Sequence, residues 1–204
     1  MESAEPSPKR PPAVGRGEKM RAAVLAATLA ELTQTGYAAL TVDGVARRAG
    51  VHKTTIYRNW SDSDRLVADA LAGHFATDIP IPDTGAVEGD LRELARALVA
   101  TMTTPAGRAL LTTVLSDAVR VPRLAEIKNA LFDDRFRRAE PVVTRAVERG
   151  ELPAGTDPAE LLRTLAAPIY FRLVFTGDPV DDTTADRAVR VTLAAAHAHA
   201  LPAA

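Results

Sequence analysis

Apolar residues in the first part of the chain recur at three- and four-residue steps. Met20, Val24, Leu25, Thr28, Leu29 and Leu32 form one stripe, which predicts a helix from about Gly17 to Thr33. Gly36 ends it as a C-terminal glycine. Thr41 then suits an N-cap, with Asp43 in the first turn where the helix dipole favours an anion. A short helix, Val42 to Ala49, is broken by Gly50, and a second begins at His52 or Lys53 and ends near Asn59. Ser61 and Asp64 have the spacing of a capping box and open a longer helix through about Thr77.

Residues 79–85 (Ile-Pro-Ile-Pro-Asp-Thr-Gly) are breakers and the natural boundary. Helical periodicity resumes at 86–103, 105–119, 122–149, 157–176 and 182–200. Pro105 and Pro122 suit helix starts, and Asp157-Pro158 reads as an N-cap followed by a first-turn proline. Pro141 falls inside a helical pattern and predicts a kink or break. Sustained alternation of period two is absent, so the pattern predicts an all-α fold without a sheet. The proline-rich start, residues 1–15, is expected to be a disordered arm. The expected division is this arm, a helix-turn-helix domain of three helices and a following helix over 16–77, and a helical domain over 78–204.

Composition narrows the function. The 204 residues are 47% hydrophobic and 25% charged, which suits a globular chain able to bury a core. Cysteine is absent from the sequence, which excludes disulfide scaffolds, thiolate metal sites and cysteine catalysis. No apolar run approaches the roughly 20 residues that cross a bilayer, and no signal peptide is readable. A cytoplasmic protein without membrane contact is the expectation. The net charge of −1 conceals an asymmetry. Residues 1–66 hold ten Lys/Arg against seven Asp/Glu, whereas 67–204 hold fifteen against nineteen. A basic first third on an acidic remainder points to a polyanion partner for that third.

Two short helices joined by a glycine turn, rich in basic and hydroxyl residues, are the outline of a helix-turn-helix. Val42, Val45, Ala46, Ala49, Val51 and Ile56 supply its apolar side. His52, Lys53, Thr54, Thr55, Tyr57, Arg58 and Asn59 remain on the second helix as donors for phosphate oxygens and base edges. The order of residues says more. Gly36-Tyr37, then Thr41-Val42-Asp43-Gly44-Val45-Ala46-Arg47-Arg48-Ala49-Gly50-Val51, then Lys53-Thr54-Thr55-Ile56-Tyr57-Arg58-Asn59-Trp60, then Leu66, strongly resembles the DNA-binding domain of tetracycline-repressor-type (TetR family) regulators. The likeness covers about residues 17–77. Arg145-Ala-Val-Glu-Arg-Gly-Glu-Leu and Ala167-Pro-Ile-Tyr-Phe-Arg-Leu-Val-Phe-Thr-Gly resemble the C-terminal domain of that family less closely.

The resemblance implies double-stranded operator DNA as a partner. By position, Thr41, Thr55, Tyr57 and Arg58 resemble phosphate-contacting residues, and Lys53 and Thr54 resemble residues that meet base edges. Arg48 and His52 complete the DNA-binding candidates, although His52 departs from the usual small residue. Ser63 stands where a lysine is common, which removes one phosphate contact. Tyr57 is expected to be half core with its hydroxyl on phosphate, and Trp60 mostly core.

The remainder carries no recognisable catalytic constellation, cofactor motif or metal-ligand spacing; His197 and His199 lie two apart on a helix and point to different sides. Its helix at 161–176 is apolar on most sides. With the following helix it predicts half of a four-helix homodimer interface through Leu165, Ile169, Leu173, Val189, Leu193 and Ala196. Leu98, Met102, Leu110, Thr113, Val114, Leu131, Phe132, Phe136 and Tyr170 are candidates to line a pocket for a small apolar or aromatic inducer. An anionic metabolite would instead need a buried arginine, for which Arg172 is the candidate. The function expected is that of a repressor released from a pseudo-palindromic operator by a ligand. The alternative is a helical small-molecule-binding protein or enzyme with a vestigial DNA-binding unit.

Overall fold

The computed structural model describes residues 15–76 and 81–202. Residues 1–14 of the expected arm, and part of the boundary segment, lie outside the described residues. The helices are α1 (Arg16–Thr35), α2 (Val42–Ala49), α3 (Lys53–Tyr57), α4 (Ser63–Ala76), α5 (Val87–Thr103), α6 (Pro105–Ala118), α7 (Pro122–Glu148), α8 (Pro158–Phe171) and α9 (Asp182–His197). A π-helical turn, Arg172–Thr176, extends α8. Among the described residues there is no β-strand beyond an isolated bridge between Thr156 and Pro202.

Local chemistry sets most helix ends. Thr41, Thr104, Asp157 and Asp181 each accept a backbone N–H from the third residue onward, which satisfies an orphan donor of α2, α6, α8 and α9. At α4 the cap differs from the expected capping box. Asp62, not Ser61, accepts the Arg65 N–H at 2.7 Å, and the Ser61 hydroxyl donates to Asp62 at 2.8 Å. The second acceptor of the expected pair, Asp64, is thereby left for other partners. The corner between α5 and α6 demands Gly107, because a Cβ there would stand 2.2 Å from the Thr101 carbonyl oxygen. No break occurs at Pro141: α7 continues through it. Pro141 is exposed while Ala139, Val142, Val143 and Ala146 around it are buried, so packing of one face holds the helix and the lost hydrogen bond faces water.

Three apolar clusters hold the chain together. The first joins α1 to α4: Val24, Val45, Ala46, Ile56, Trp60 and Leu66. The second, which is larger, joins α5, α7, α8 and α9 through Leu91, Leu98, Val142, Val143, Leu161, Ile169, Ala185 and Val189. The third lies between them. Leu32, Val67 and Leu71 of α1 and α4 pack with Leu110, Val114, Leu124 and Ile127 of α6 and α7. Each such fully buried leucine or isoleucine contributes about 1.5–3 kcal/mol relative to exposure. Polar ties reinforce this junction. Asp117 of α6 accepts the Tyr37 backbone N–H at 2.7 Å, the Tyr37 hydroxyl donates to Asp64 at 2.5 Å, and Arg123 of α7 donates to Asp64 at 3.1 Å. Burial and the Asp64 carboxylate push the Tyr37 hydroxyl well above the usual tyrosine range. Two arginines of α7 donate to backbone carbonyls at the boundary, Arg135 to Phe75 at 3.2 Å and Arg145 to Pro82 at 2.5 Å.

Candidate functional site: an exposed short helix and an internal cavity

The α2–α3 unit presents its second helix to solvent because its first is clamped to α1. Val45 and Ala46 are buried against α1, and a Cβ at Gly44 would meet the Thr41 hydroxyl and the Glu31 carboxylate at 3.1 and 3.3 Å. Gly50 takes φ 67°, the left-handed conformation that lets its N–H reach back to Ala46 and Arg47, and the Val51 N–H also bonds to Ala46. The chain leaves this turn extended at His52 and begins α3 at Lys53. Ile56 and Trp60 then face inward.

The expected DNA-contacting residues fall into distinct settings. His52, Lys53, Thr54 and Arg58 are exposed, and Thr55 is half-buried. The His52 Nδ1 and Thr54 hydroxyl lie 3.0 Å apart. Lys53 pairs with Asp43 at 3.4 Å, but both are exposed, so the pair contributes little and leaves the ammonium available. Tyr57 is 55% exposed, more open than the half-core position expected. Trp60 is 2% exposed, its indole N–H donates to Asp69 at 3.0 Å, and Arg21 lies over its ring. Thr41 spends its hydroxyl as an acceptor on the Gly44 N–H, which leaves its O–H proton to donate. Arg48 is held back: it donates to Glu31 at 3.3 Å and to Gln34, both on α1. Its neighbour Arg47, not among the expected contacts, is exposed and has no carboxylate within 4.0 Å among the described residues. The adjacent pair Arg47-Arg48 was the signal, and helical geometry decides which one faces α1.

A cavity of about 420 Å³ lies among α4, α5, α6, α7 and α8. Leu98, Met102, Val114, Leu131, Phe132, Phe136 and Tyr170 line it. Leu110 and Thr113 do not. Leu110 is buried in the junction cluster against α1 and α4, and the Thr113 hydroxyl donates to the Ala109 carbonyl of its own helix. A single residue along α6, about 100° of rotation, separates Leu110 from Leu111, which does line the cavity. Leu71, Ala72 and Phe75 of α4 form part of the wall, and the sequence pattern gave no hint of them because they continue the head's own apolar stripe. The Tyr170 ring stands edge-on to Phe132 at 5.5 Å. Arg172 is not in the cavity. It lies near the chain surface with its guanidinium 3.9 Å from Asp178. The arginines that do line the cavity are Arg135 and Arg138.

Of the expected interface residues, Leu165, Ile169, Val189 and Ala196 are buried in the chain's own core, which removes them from the surface open to a partner. Leu173 and Leu193 are half-buried against that core. The apolar residues facing outward on the same elements are Phe171 (56% exposed), Val174, Phe175 (77%) and Val191 (57%), and the first and third of these stack at 5.4 Å. Pro168 removes a backbone donor four residues before Arg172, and there the helix widens into the π turn that carries Val174 and Phe175.

Comparisons with known proteins place this geometry. The family description "Bacterial regulatory proteins, tetR family" matches residues 24–70, and "Tetracyclin repressor-like, C-terminal domain" matches residues 81–192. The chain belongs to the TetR family. This regulator is 33% identical over 180 residues to the HTH-type transcriptional regulator AqdR of Rhodococcus erythropolis, a match spanning 87% of this chain and 86% of that one. It is 34% identical over 185 residues to the DNA-binding transcriptional repressor TetR of Mycobacteroides abscessus, across 86% and 93% of the two chains. Among solved structures, the TetR family transcription regulator SCO0332 superposes with a TM-score of 0.70 at 32% identity, covering 87% of this chain and 98% of that one. MexZ of Pseudomonas aeruginosa shares the fold, with a TM-score of 0.66 at 22% identity over 92% of this chain and all of that one. The regulator is therefore an all-α, DNA-binding transcriptional regulator of a family that regulates rather than catalyses. No helix among the described residues is long and apolar enough to cross a membrane.

Proposed function

We propose that the regulator is a homodimeric repressor, acting in the cytoplasm, that leaves its operator when a small molecule fills the cavity. The observation that carries this reading is the double role of α4. Its Leu66 belongs to the core of the head, while its Leu71, Ala72 and Phe75 wall the cavity. A ligand that displaces that wall moves the base of the DNA-reading unit without any intervening flexible linker. The differential affinity of the two head positions for DNA sets how much a ligand can do.

In this reading α3 enters the major groove. Lys53 and Thr54 meet base edges, and Thr41, Thr55, Tyr57 and Arg58 meet phosphates, with His52 at the groove rim. Arg47 joins the phosphate contacts in place of Arg48, whose charge is already satisfied on α1. Phe171, Val174, Phe175 and Val191 of two copies meet to form the dimer, which sets two α3 helices against half-sites about 34–36 Å apart.

Selection of sequences from random duplex DNA by the full-length protein tests this. The expected product is an inverted repeat that binds wild type more tightly than scrambled DNA at physiological salt, by at least about a thousandfold. Recovery of no preferred sequence, or of a single unrepeated half-site, refutes the dimeric repressor.

A further inference from the structure

The cavity is apolar over most of its wall, yet its charged residues do not balance. Lys128, Asp134, Arg135 and Arg138 border it. The Asp134 carboxylate is taken by Arg137 at 2.6 Å and by Arg138 at 2.7 Å. Those two arginines, Arg137 foremost, lower its carboxyl below the ordinary value. Among the described residues neither Lys128 nor Arg135 has a carboxylate within 4.0 Å, so the lining carries an excess of positive charge.

Arg135 is the more exposed to question because it is the less exposed to water. Its stem lies in the apolar row Leu131, Phe132, Phe136 and Ala139 of α7, and its one hydrogen bond among the described residues goes to the Phe75 carbonyl. A guanidinium has five donors, so four N–H groups remain without a protein partner among the described residues. Burial pulls its proton affinity below the ordinary arginine range, and nearby Tyr170 only partly offsets this. Burial likewise pushes the Tyr170 hydroxyl above the usual tyrosine range, opposed by the charge of Arg135. A desolvated cation with no counter-ion is costly, and structural arginines are buried with one. Among the described residues the site is therefore short of an anion.

Resting on the reading of the cavity as the effector site, we propose that its ligand is an aromatic weak acid, whose anionic oxygens pair with Arg135 and Tyr170 while its ring body lies among Phe75, Phe132 and Phe136. The fork of the guanidinium suits two oxygens of one carboxylate or the adjacent oxygens of an acidic hydroxy-carbonyl group. Tyr170 donates its hydroxyl proton to the same group, as a phenol at or above its ordinary pKa of about 10 does at neutral pH. Lys128, at the rim, draws the anion in. This replaces the neutral apolar inducer that the sequence pattern suggests and moves the anion-binding role from Arg172 to Arg135.

The test uses the full-length protein with two matched probes, 2-naphthoate and its neutral isostere 2-naphthamide, by isothermal titration. The carboxylate is expected to bind about tenfold or more tighter than the amide, the margin of a charge-assisted hydrogen bond. Arg135→Gln is expected to remove that margin while leaving amide binding within about twofold, and Tyr170→Phe to reduce it by several-fold. The ligand-free Arg135→Gln protein should melt no lower than wild type, because a charge with no carboxylate beside it among the described residues has been removed. A lower melting temperature would mark Arg135 as a structural strut on Phe75 and overturn the proposal. Asp78→Asn, which neutralises the acidic side chain next along the chain from Phe75, should leave carboxylate selectivity unchanged; a changed selectivity makes Asp78 the counter-ion and overturns the proposal. Equal binding of both probes by wild type sinks the acid and leaves the cavity as a neutral-ligand site. Binding of neither, with no change in melting temperature, overturns the effector site itself.

Discussion

Replacing Asp117 by alanine isolates the polar tie between the head and the rest of the chain. The Asp117 carboxylate accepts the Tyr37 N–H at 2.7 Å across 80 positions of sequence, and the site is partly buried. A hydrogen bond to a charged group contributes about 1.5–3 kcal/mol, and leaving the N–H unsatisfied forfeits most of that. Partial exposure moves the expectation to about 1.5–2 kcal/mol. For a chain of this size that is roughly 3–8 °C of melting temperature. Asp117→Asn keeps an acceptor and loses the charge, so it should fall near the midpoint. The chain's only tryptophan, Trp60, sits in the head core, so its fluorescence reports the head, while circular dichroism at 222 nm reports all helices. In wild type the two urea transitions should coincide, since the junction cluster couples the parts. In Asp117→Ala the fluorescence transition should move to lower urea and precede the other. An alanine variant within 1 °C of wild type, with coincident transitions, would show that the apolar junction alone holds the head and that the tie is dispensable; the 1 °C threshold corresponds to only about 0.3–0.5 kcal/mol.

Other outcomes follow from the same geometry. Lys53→Ala should weaken operator binding and relax specificity at the base pair it meets, and Arg47→Ala should weaken binding to all sequences alike and lower the salt slope by about one, whereas Arg48→Ala should cost head stability and leave the slope unchanged; filter binding across a salt series, on the operator and its point variants, decides. Phe175→Glu should shift the oligomer toward monomer in sedimentation at micromolar concentration, while Ile169→Ala should lower the melting temperature by the equivalent of about 2–5 kcal/mol without selective dissociation. Burial holds His74 below its ordinary pKa of about 6.5, so the unfolded chain takes up the proton first. Stability should therefore fall as pH drops below about 6.5 and level off beneath the folded-state value, and His74→Gln should flatten that part of a melting-temperature profile.

Helix positions were legible from periodicity because most helices bury one stripe, and Thr41, Asp157 and the first-turn prolines mark their starts chemically. What the pattern could not settle was orientation. Leu165, Ile169, Phe171 and Val191 are all apolar, and only the packing of α8 and α9 on α5 decides which two face inward. The same ambiguity sent Leu110 and Thr113 to the wrong wall of α6. Arg135 had a readable signal: an arginine inside the row Leu131, Phe132, Phe136, Ala139 is out of place on a core face. Arg172 drew notice instead because its neighbours are apolar on every side, but there the helix widens and turns it outward. The Ser61–Asp64 spacing fits a capping box, and it failed because the cap lies one residue further on, where Asp62 accepts the Arg65 N–H.

The shared junction cluster bears on how this chain can be taken apart. Leu32, Val67 and Leu71 are fully buried only because α6 and α7 cover them. A head excised after residue 76 would present that apolar face to water and tend to self-associate. Grafting it onto the effector half of another regulator would succeed only where the recipient supplies residues shaped like Leu110, Val114, Leu124 and Ile127. For the engineer of chimeric biosensors, the unit of exchange is thus not the segment that the proline-rich boundary marks off in sequence, but that segment together with the facing rows of α6 and α7.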